Sequence, residues 1–231
     1  MTLLSIVQDA CDRLGLARPD AAYSSSDQQI IQLVALAQQE GKELARRHGW
    51  QALTAEQTFT ATATETQSSA VPSDFDRFID GTFYNRTQKR PVHGPYNAQE
   101  WQFSKGVLTT TIVEVWRQRG DDILIAPTPT AGDTYAFEYV STQWCQSSAS
   151  VAQAAWASDA DTAKLSEEII TDGVVWRFLK AKGFDYAEEF RTYELQVKQR
   201  IARDGGKPIL NAGRSRSASR GAYVPDGNWN L

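Results

Sequence analysis

Apolar residues recur at helical spacing at both ends of this chain, and between the ends the spacing changes to that of strands. This order constrains the fold most, because an amphipathic helix must cover its stripe and the two sets of helices can do so by packing on each other. Leu3, Val7, Ala10 or Cys11, and Leu14 form the first stripe, with Thr2 placed to cap it and Gly15 to stop it. Ser26 and Gln29 have capping-box spacing ahead of a second stripe of Ile30, Val34, Ala37, Leu44 and Ala45, which ends at His48 and Gly49. Toward the other end, Leu165, Ile169, Trp176 and Leu179 or Lys180 share a helical face, widened by Ile170, Val174 and Phe178. So wide a stripe predicts a helix packed on more than one side. Gly183 closes it. Asp185 and Glu188 then have capping-box spacing before Phe190, Tyr193, Val197 and Ile201, and Gly205-Gly206 stops that helix.

The middle reads as strands. Residues 57–65 are rich in Thr, residues 112–117 and 123–126 flank an Arg119-Gly120-Asp121-Asp122 turn, and Tyr135, Phe137 and Tyr139 alternate with Ala136, Glu138 and Val140. Aromatic residues on one face of a strand suit a small antiparallel barrel or sandwich. Residues 97–103 allow one helical turn within it. The fold class expected is therefore α+β: an antiparallel helical bundle from residues 1–50 and 155–203, an inserted antiparallel β domain over 51–154, and an extended C-terminal arm over 204–231. The arm is rich in Gly, Ser, Asn and Arg and is too poor in apolar residues to order by itself.

With 231 residues the chain suits one domain, or one domain with an insertion, and its net charge of −4 argues against coating duplex DNA. Seven tryptophans are spread along it, and most are expected in the core, Trp50 and Trp176 among them together with Phe178, either there or at interfaces. Cys11 and Cys145 have no motif partners, which predicts free thiols and a reducing compartment. Residues 1–10 lack the basic start and apolar run of a signal peptide, and no stretch approaches the ~18 apolar residues needed to span a bilayer. A cytoplasmic origin and no membrane partner follow as expectations.

Chemistry is hard to find. His48 and His93 are the two histidines, and neither has metal-ligand spacing. There is no nucleophile elbow and no phosphate-cradling Gly-rich loop. Glu167, Glu168, Glu188 and Glu189 fall in or near first turns of helices, where negative charge is favourable without catalysis. Asp159-Ala160-Asp161 lacks the glycine and distal glutamate of a calcium loop and reads as a turn capping the Leu165 helix. No catalytic residue, metal site or cofactor is expected. Two functional readings stay open beside a purely structural one: a peptidoglycan hydrolase and a glycan- or protein-binding β module.

The C-terminal segment sets Arg214, Arg216 and Arg220 among Ser and Gly, followed by Tyr223 and Trp229. That pattern suits an arm that folds onto a partner with the two aromatics as anchors; solvated filler and phosphate contact are the competing readings.

Four stretches together resemble the head-to-tail adaptor proteins of tailed bacteriophages, of the tail tubular protein A or head completion type. They are the two N-terminal helices ending in Arg46-Arg47-His48-Gly49-Trp50; Val71-Pro72-Ser73-Asp74-Phe75-Asp76-Arg77-Phe78; Ile123-Leu124-Ile125-Ala126-Pro127 followed by Gly132-Asp133 and Phe137-Glu138-Tyr139-Val140-Ser141; and Leu165 through Gly183, with Trp176-Arg177-Phe178-Leu179-Lys180-Ala181-Lys182-Gly183. The resemblance implies a structural virion protein at the head–tail junction, assembled in the host cytoplasm. It implies a dodecameric ring between the portal protein and a tail protein (nozzle or tail tube), through whose channel DNA passes without specific binding. It also implies that the C-terminal arm, with Arg214, Arg216, Arg220, Tyr223 and Trp229, binds the portal.

Overall fold

The structure, a computed structural model, describes residues 2–107 and 113–205. Ile112, Gly206 of the expected helix stop and the arm residues Arg214, Arg216, Arg220, Tyr223 and Trp229 lie outside that range. The fold is α+β, with helices α1 (Leu3–Leu14), α2 (Gln28–Arg47), α3 (Ala98–Val107), α4 (Glu167–Lys182) and α5 (Ala187–Arg203).

The helix ends follow from local chemistry. Thr2 and Ser5 form a reciprocal capping box at α1, and Gly15 closes it with φ +67°, a conformation that favours glycine. The cap of α2 is Asp27 rather than Ser26: its carboxylate accepts from the Gln29 N–H at 2.8 Å, while Ser25 Oγ accepts from the Asp27 N–H. At α5 the Asp185 carboxylate accepts from the Ala187 N–H, but Glu188 turns outward to pair with Arg191, so the expected box does not close.

Helix α4 touches α1, α2 and α5, which accounts for the breadth of its apolar stripe. Ile169, Ile170, Val174, Val175 and Phe178 are buried with Leu3, Ile6 and Val7 of α1, Leu33 and Leu44 of α2, and Tyr193 and Val197 of α5 in one core. Burying a side chain of that size contributes about 1.5–3 kcal/mol relative to leaving it in water.

The central strands are β1 (Thr54–Thr60), β2 (Thr66–Gln67), β3 (Phe75–Phe78), β4 (Tyr84–Asn85), β5 (Arg90–His93), β6 (Glu114–Arg119), β7 (Asp122–Ala126) and β8 (Thr134–Ser141). They form one curled eight-stranded sheet in the order β1-β8-β4-β5-β6-β7-β2, with β3 also on β8. The expectation of a wholly antiparallel sheet is corrected here, because β5 and β6 pair in parallel. Parallel neighbours need a crossover connection, and α3 supplies it. α3 is longer than the single turn expected. Asn97 caps it by accepting from the Gln99 and Glu100 N–H groups, and its Trp101 is buried with Val115, Leu124 and Ala126.

The concave face is aromatic. Tyr135, Phe137 and Tyr139 lie together there, as their alternation predicts, with Phe83 and Trp116 and the half-buried Phe59, Phe75 and Phe78. On the other face Glu138 is exposed, whereas Val140 is buried in the helical core. A second, three-stranded sheet of β9 (Cys145–Gln146), β10 (Ala152–Gln153) and β11 (Thr162–Ala163) carries Trp144 and Trp156, packed edge to face, into the same core.

Candidate assembly interface

The fold ties many of its buried ionisable groups into internal bridges. Glu40 of α2 is fully buried on a stripe that is otherwise apolar. Its carboxylate lies 2.5 Å from Arg177 Nη1 of α4 and accepts from the Tyr193 hydroxyl of α5 at 2.5 Å. Arg177 also donates to Glu43, and Arg47 pairs with Glu194 at 2.5 Å. Burial pushes Glu40 above its ordinary pKa of 4.5, and Arg177, shared with a second carboxylate, offsets only part of that. Desolvation also acts on Glu43, but its bonds to Gln39 and Arg177 outweigh it and hold that group below the usual value. Burial, with the adjacent Glu40, pushes the Tyr193 phenol up, so it stays a donor.

Two glycines make this arrangement possible. A Cβ on Gly173 would meet the Glu40 carboxyl carbon at 2.3 Å, and one on Gly41 would meet the Trp144 ring at 2.2 Å. Each lets a bulky partner approach the helix backbone.

The sheet has its own polar centre. Glu114, nearly buried, accepts from Tyr135 at 3.1 Å and from Asn85 at 3.3 Å, and pairs with Arg90 at 2.8 Å. Asp74 accepts from Tyr139 and Ser141, and burial with that carboxylate pushes Tyr139 up to about 12. The turn of Asp159 and Asp161, expected from its sequence to cap α4, does not do so; the residue before the first turn of that helix is Ser166. Asp159 accepts from the Ala22 and Tyr23 N–H groups and Asp161 from those of Ala157 and Ser158, so both hold loops against the helices. Among the described residues no cluster of His, Cys, Asp or Glu could hold a metal ion, and no helix is long and apolar enough to cross a membrane.

The surface shows apolar side chains where the helices face outward. Phe190 and Leu195 of α5 flank a groove of about 360 Å³ with Arg191, Thr192, Glu194 and Lys198. Phe184, between α4 and α5, is 62% exposed, and Phe103 of α3 is 72% exposed. Of the aromatics singled out in the sequence, Trp50 and Phe178 are buried in the helical core. Trp176 is half-buried, ringed by Tyr186, Phe190 and Tyr193, with Arg177 over its face. Arg214, Arg216, Arg220, Tyr223 and Trp229 lie outside the described residues. The Glu40–Arg177 centre was missed in the sequence, although its signal was present: Glu40 falls on the face shared by Ala37 and Leu44.

A scaffold that neutralises its buried charges internally and displays apolar side chains on outward helix faces is suited to an assembly component. The SU10 adaptor protein family model matches residues 1–222, and the chain belongs to that family, a phage head–tail adaptor family. Its role is accordingly that of a structural phage adaptor. The chain has no significant match among curated proteins.

Proposed function

We propose that this chain forms a ring between the portal and the tail of a bacteriophage virion and extends the DNA channel there. The match to an adaptor family over residues 1–222 carries the reading. Several features support the finer picture. A ring needs two different complementary side faces on each subunit, and the exposed Phe190 and Leu195 of α5 supply an apolar patch for one of them. The net charge of −4 suits a channel that DNA traverses without being held. Residues 1–50 and 155–203 act as the helical platform and 51–154 as the inserted sheet. The segment with Arg214, Arg216, Arg220, Tyr223 and Trp229 engages the portal, the ring is dodecameric, and a nozzle or tail-tube protein binds the opposite face. The protein acts as a structural element and needs no cofactor for this role.

Imaging the purified protein with and without the portal ring of the same genome tests this. A new layer of density beneath the portal, sharing its symmetry, is the expected result; no added layer with a demonstrably folded chain would overturn it. Deletion of residues 206–231 should then abolish the layer while leaving the melting curve nearly unchanged. The cut falls after Asp204 because that carboxylate accepts from the Gln51 N–H at 2.9 Å.

A further inference from the structure

The curled sheet ends on β1, and the outer edge of that strand is open along its middle. The Ile79 and Arg86 N–H groups bond to the Glu138 and Thr134 carbonyls, so those even-numbered residues of β8 point toward β3 and β4. The register of β1 on β8 then assigns Ala55, Gln57 and Phe59 to bonds with Tyr139, Phe137 and Tyr135. The N–H and C=O groups of Glu56, Thr58 and Thr60 are left facing away from the sheet, and among the described residues they have no partner. The chain itself closes both ends of this free stretch. The Thr54 N–H bonds to the Gln51 carbonyl. Beyond Thr60 the buried Gln67 side chain takes the place of a neighbouring strand: its Oε1 accepts from the Thr62 N–H at 2.8 Å, and its Nε2 donates to the Thr62 carbonyl at 3.1 Å.

The open donors and acceptors are therefore centred on Thr58, and an antiparallel strand of equal length would satisfy all of them. β1 of a second copy is such a strand. With Thr58 on a two-fold axis, Glu56 of each copy lies opposite Thr60 of the other, and free groups meet only free groups. Shifting that register by two residues either way would bring in Thr54 or Thr62, whose N–H groups are taken. The side chains suit the same register. Glu56 opposes a threonine rather than a like charge, and its own charge is bridged to Arg86. The two Thr58 side chains meet across the axis as a favourable cross-strand pair. Gln57 and Phe59, half-buried on the inward face, come opposite Phe59 and Gln57 of the second copy and cover one another. β1 carries no proline or lysine to blunt its edge against such pairing.

We propose that two copies of this chain pair through the open edges of β1, antiparallel about Thr58. The Glu56, Thr58 and Thr60 N–H groups of each copy donate to the Thr60, Thr58 and Glu56 carbonyls of the other. A two-fold pair cannot supply the side contacts of a cyclic ring, whose two faces differ, so the pair is a state of the protein apart from the ring. The inference does not rest on the ring reading. The pairing covers an edge that would otherwise template association with other chains.

Sedimentation and amide hydrogen exchange on the full chain, over a range of protein concentration, test it. The mass should rise from one chain toward two, and the Glu56, Thr58 and Thr60 amides should exchange about tenfold or more slowly once paired. Thr58→Pro, which removes only an outward N–H, should leave a single chain at every concentration. Thr58→Lys and Thr58→Glu should each do the same by setting like charges across the axis, and an equal mixture of the two should pair again. The Gln57 amide, bonded within the sheet, should stay slow throughout and so report an intact fold. A single chain with rapid exchange at the three amides at every concentration would refute the pair. Protection that ignores concentration would assign the edge to another segment of the same chain and overturn the second-copy assignment. Pairing that survives both Thr58→Pro and Thr58→Lys would move the contact to another surface and overturn the role of β1.

Discussion

The helical core and the sheet core solve the same packing problem with different chemistry. The sheet interior is aromatic: Phe137 packs against Phe78 at 4.9 Å and Phe83 at 5.6 Å, and Trp116 against Phe78 at 4.5 Å. The helical interior is mostly aliphatic but places an ion pair, Glu40 and Arg177, at its centre. Strand register is already set by alternation and backbone ladders, so interlocking rings are enough to fill the sheet. Helices can slide and rotate against one another. A buried charge that finds its partner in only one alignment selects that alignment, and Glu40 links α2, α4 and α5 in this way.

The comparison can be broken first on the sheet side. Phe137→Ala should cost about 3–5 kcal/mol in urea denaturation, with no dependence on pH through the carboxylate range. On the helical side, Arg177→Met should cost about 3 kcal/mol at neutral pH by leaving Glu40 buried without its counter-charge. That deficit should shrink on acidification. Glu40 already titrates above 4.5 in the folded state, so its favourable contribution is full below that value and is lost as pH rises through the folded pKa. Without Arg177 its pKa climbs further, and lowering the pH restores more stability to the variant than to the wild type. A pH-independent deficit would show that Arg177 acts by packing alone.

Smaller changes sharpen the contrast. Gly173→Ala should destabilise by about 2 kcal/mol although alanine is the better helix former, because the new methyl group displaces the Glu40 carboxyl. Trp176→Ala should cost about 1.5 kcal/mol, below the figure for a buried tryptophan, since the ring is half-exposed and its loss removes chiefly the contacts with Phe190 and Tyr193. Thermal melts would rank the two.

Much of the fold was legible. Thr2, Gly15 and Gly183 mark their helix ends as their chemistry predicts, and the faces containing Val7, Ala37, Val174 and Val197 are the ones buried. The alternation of Tyr135, Phe137 and Tyr139 gives the concave side of the sheet. The misreadings share a cause. Ser26, Asp159 and Asp161 were assigned from spacing alone, yet a carboxylate accepts from whichever N–H groups the folded chain brings near. For Asp159 those belong to Ala22 and Tyr23, far away in sequence. In the candidate site the exposed face of α5 could be read in part, but Phe190 was placed on the buried stripe when it borders the outer groove.

The sequence by itself determined the α+β order, the ends of α1 and α4 and the aromatic face of β8, because these depend on periodicity and on interactions within a few residues. Only the tertiary structure decided that β5 and β6 run parallel, that Gly173 makes room for Glu40, that Val140 joins the helical core, and that α5 returns to the start of β1. Those outcomes depend on which surfaces meet in three dimensions, and distance along the chain carries no record of that.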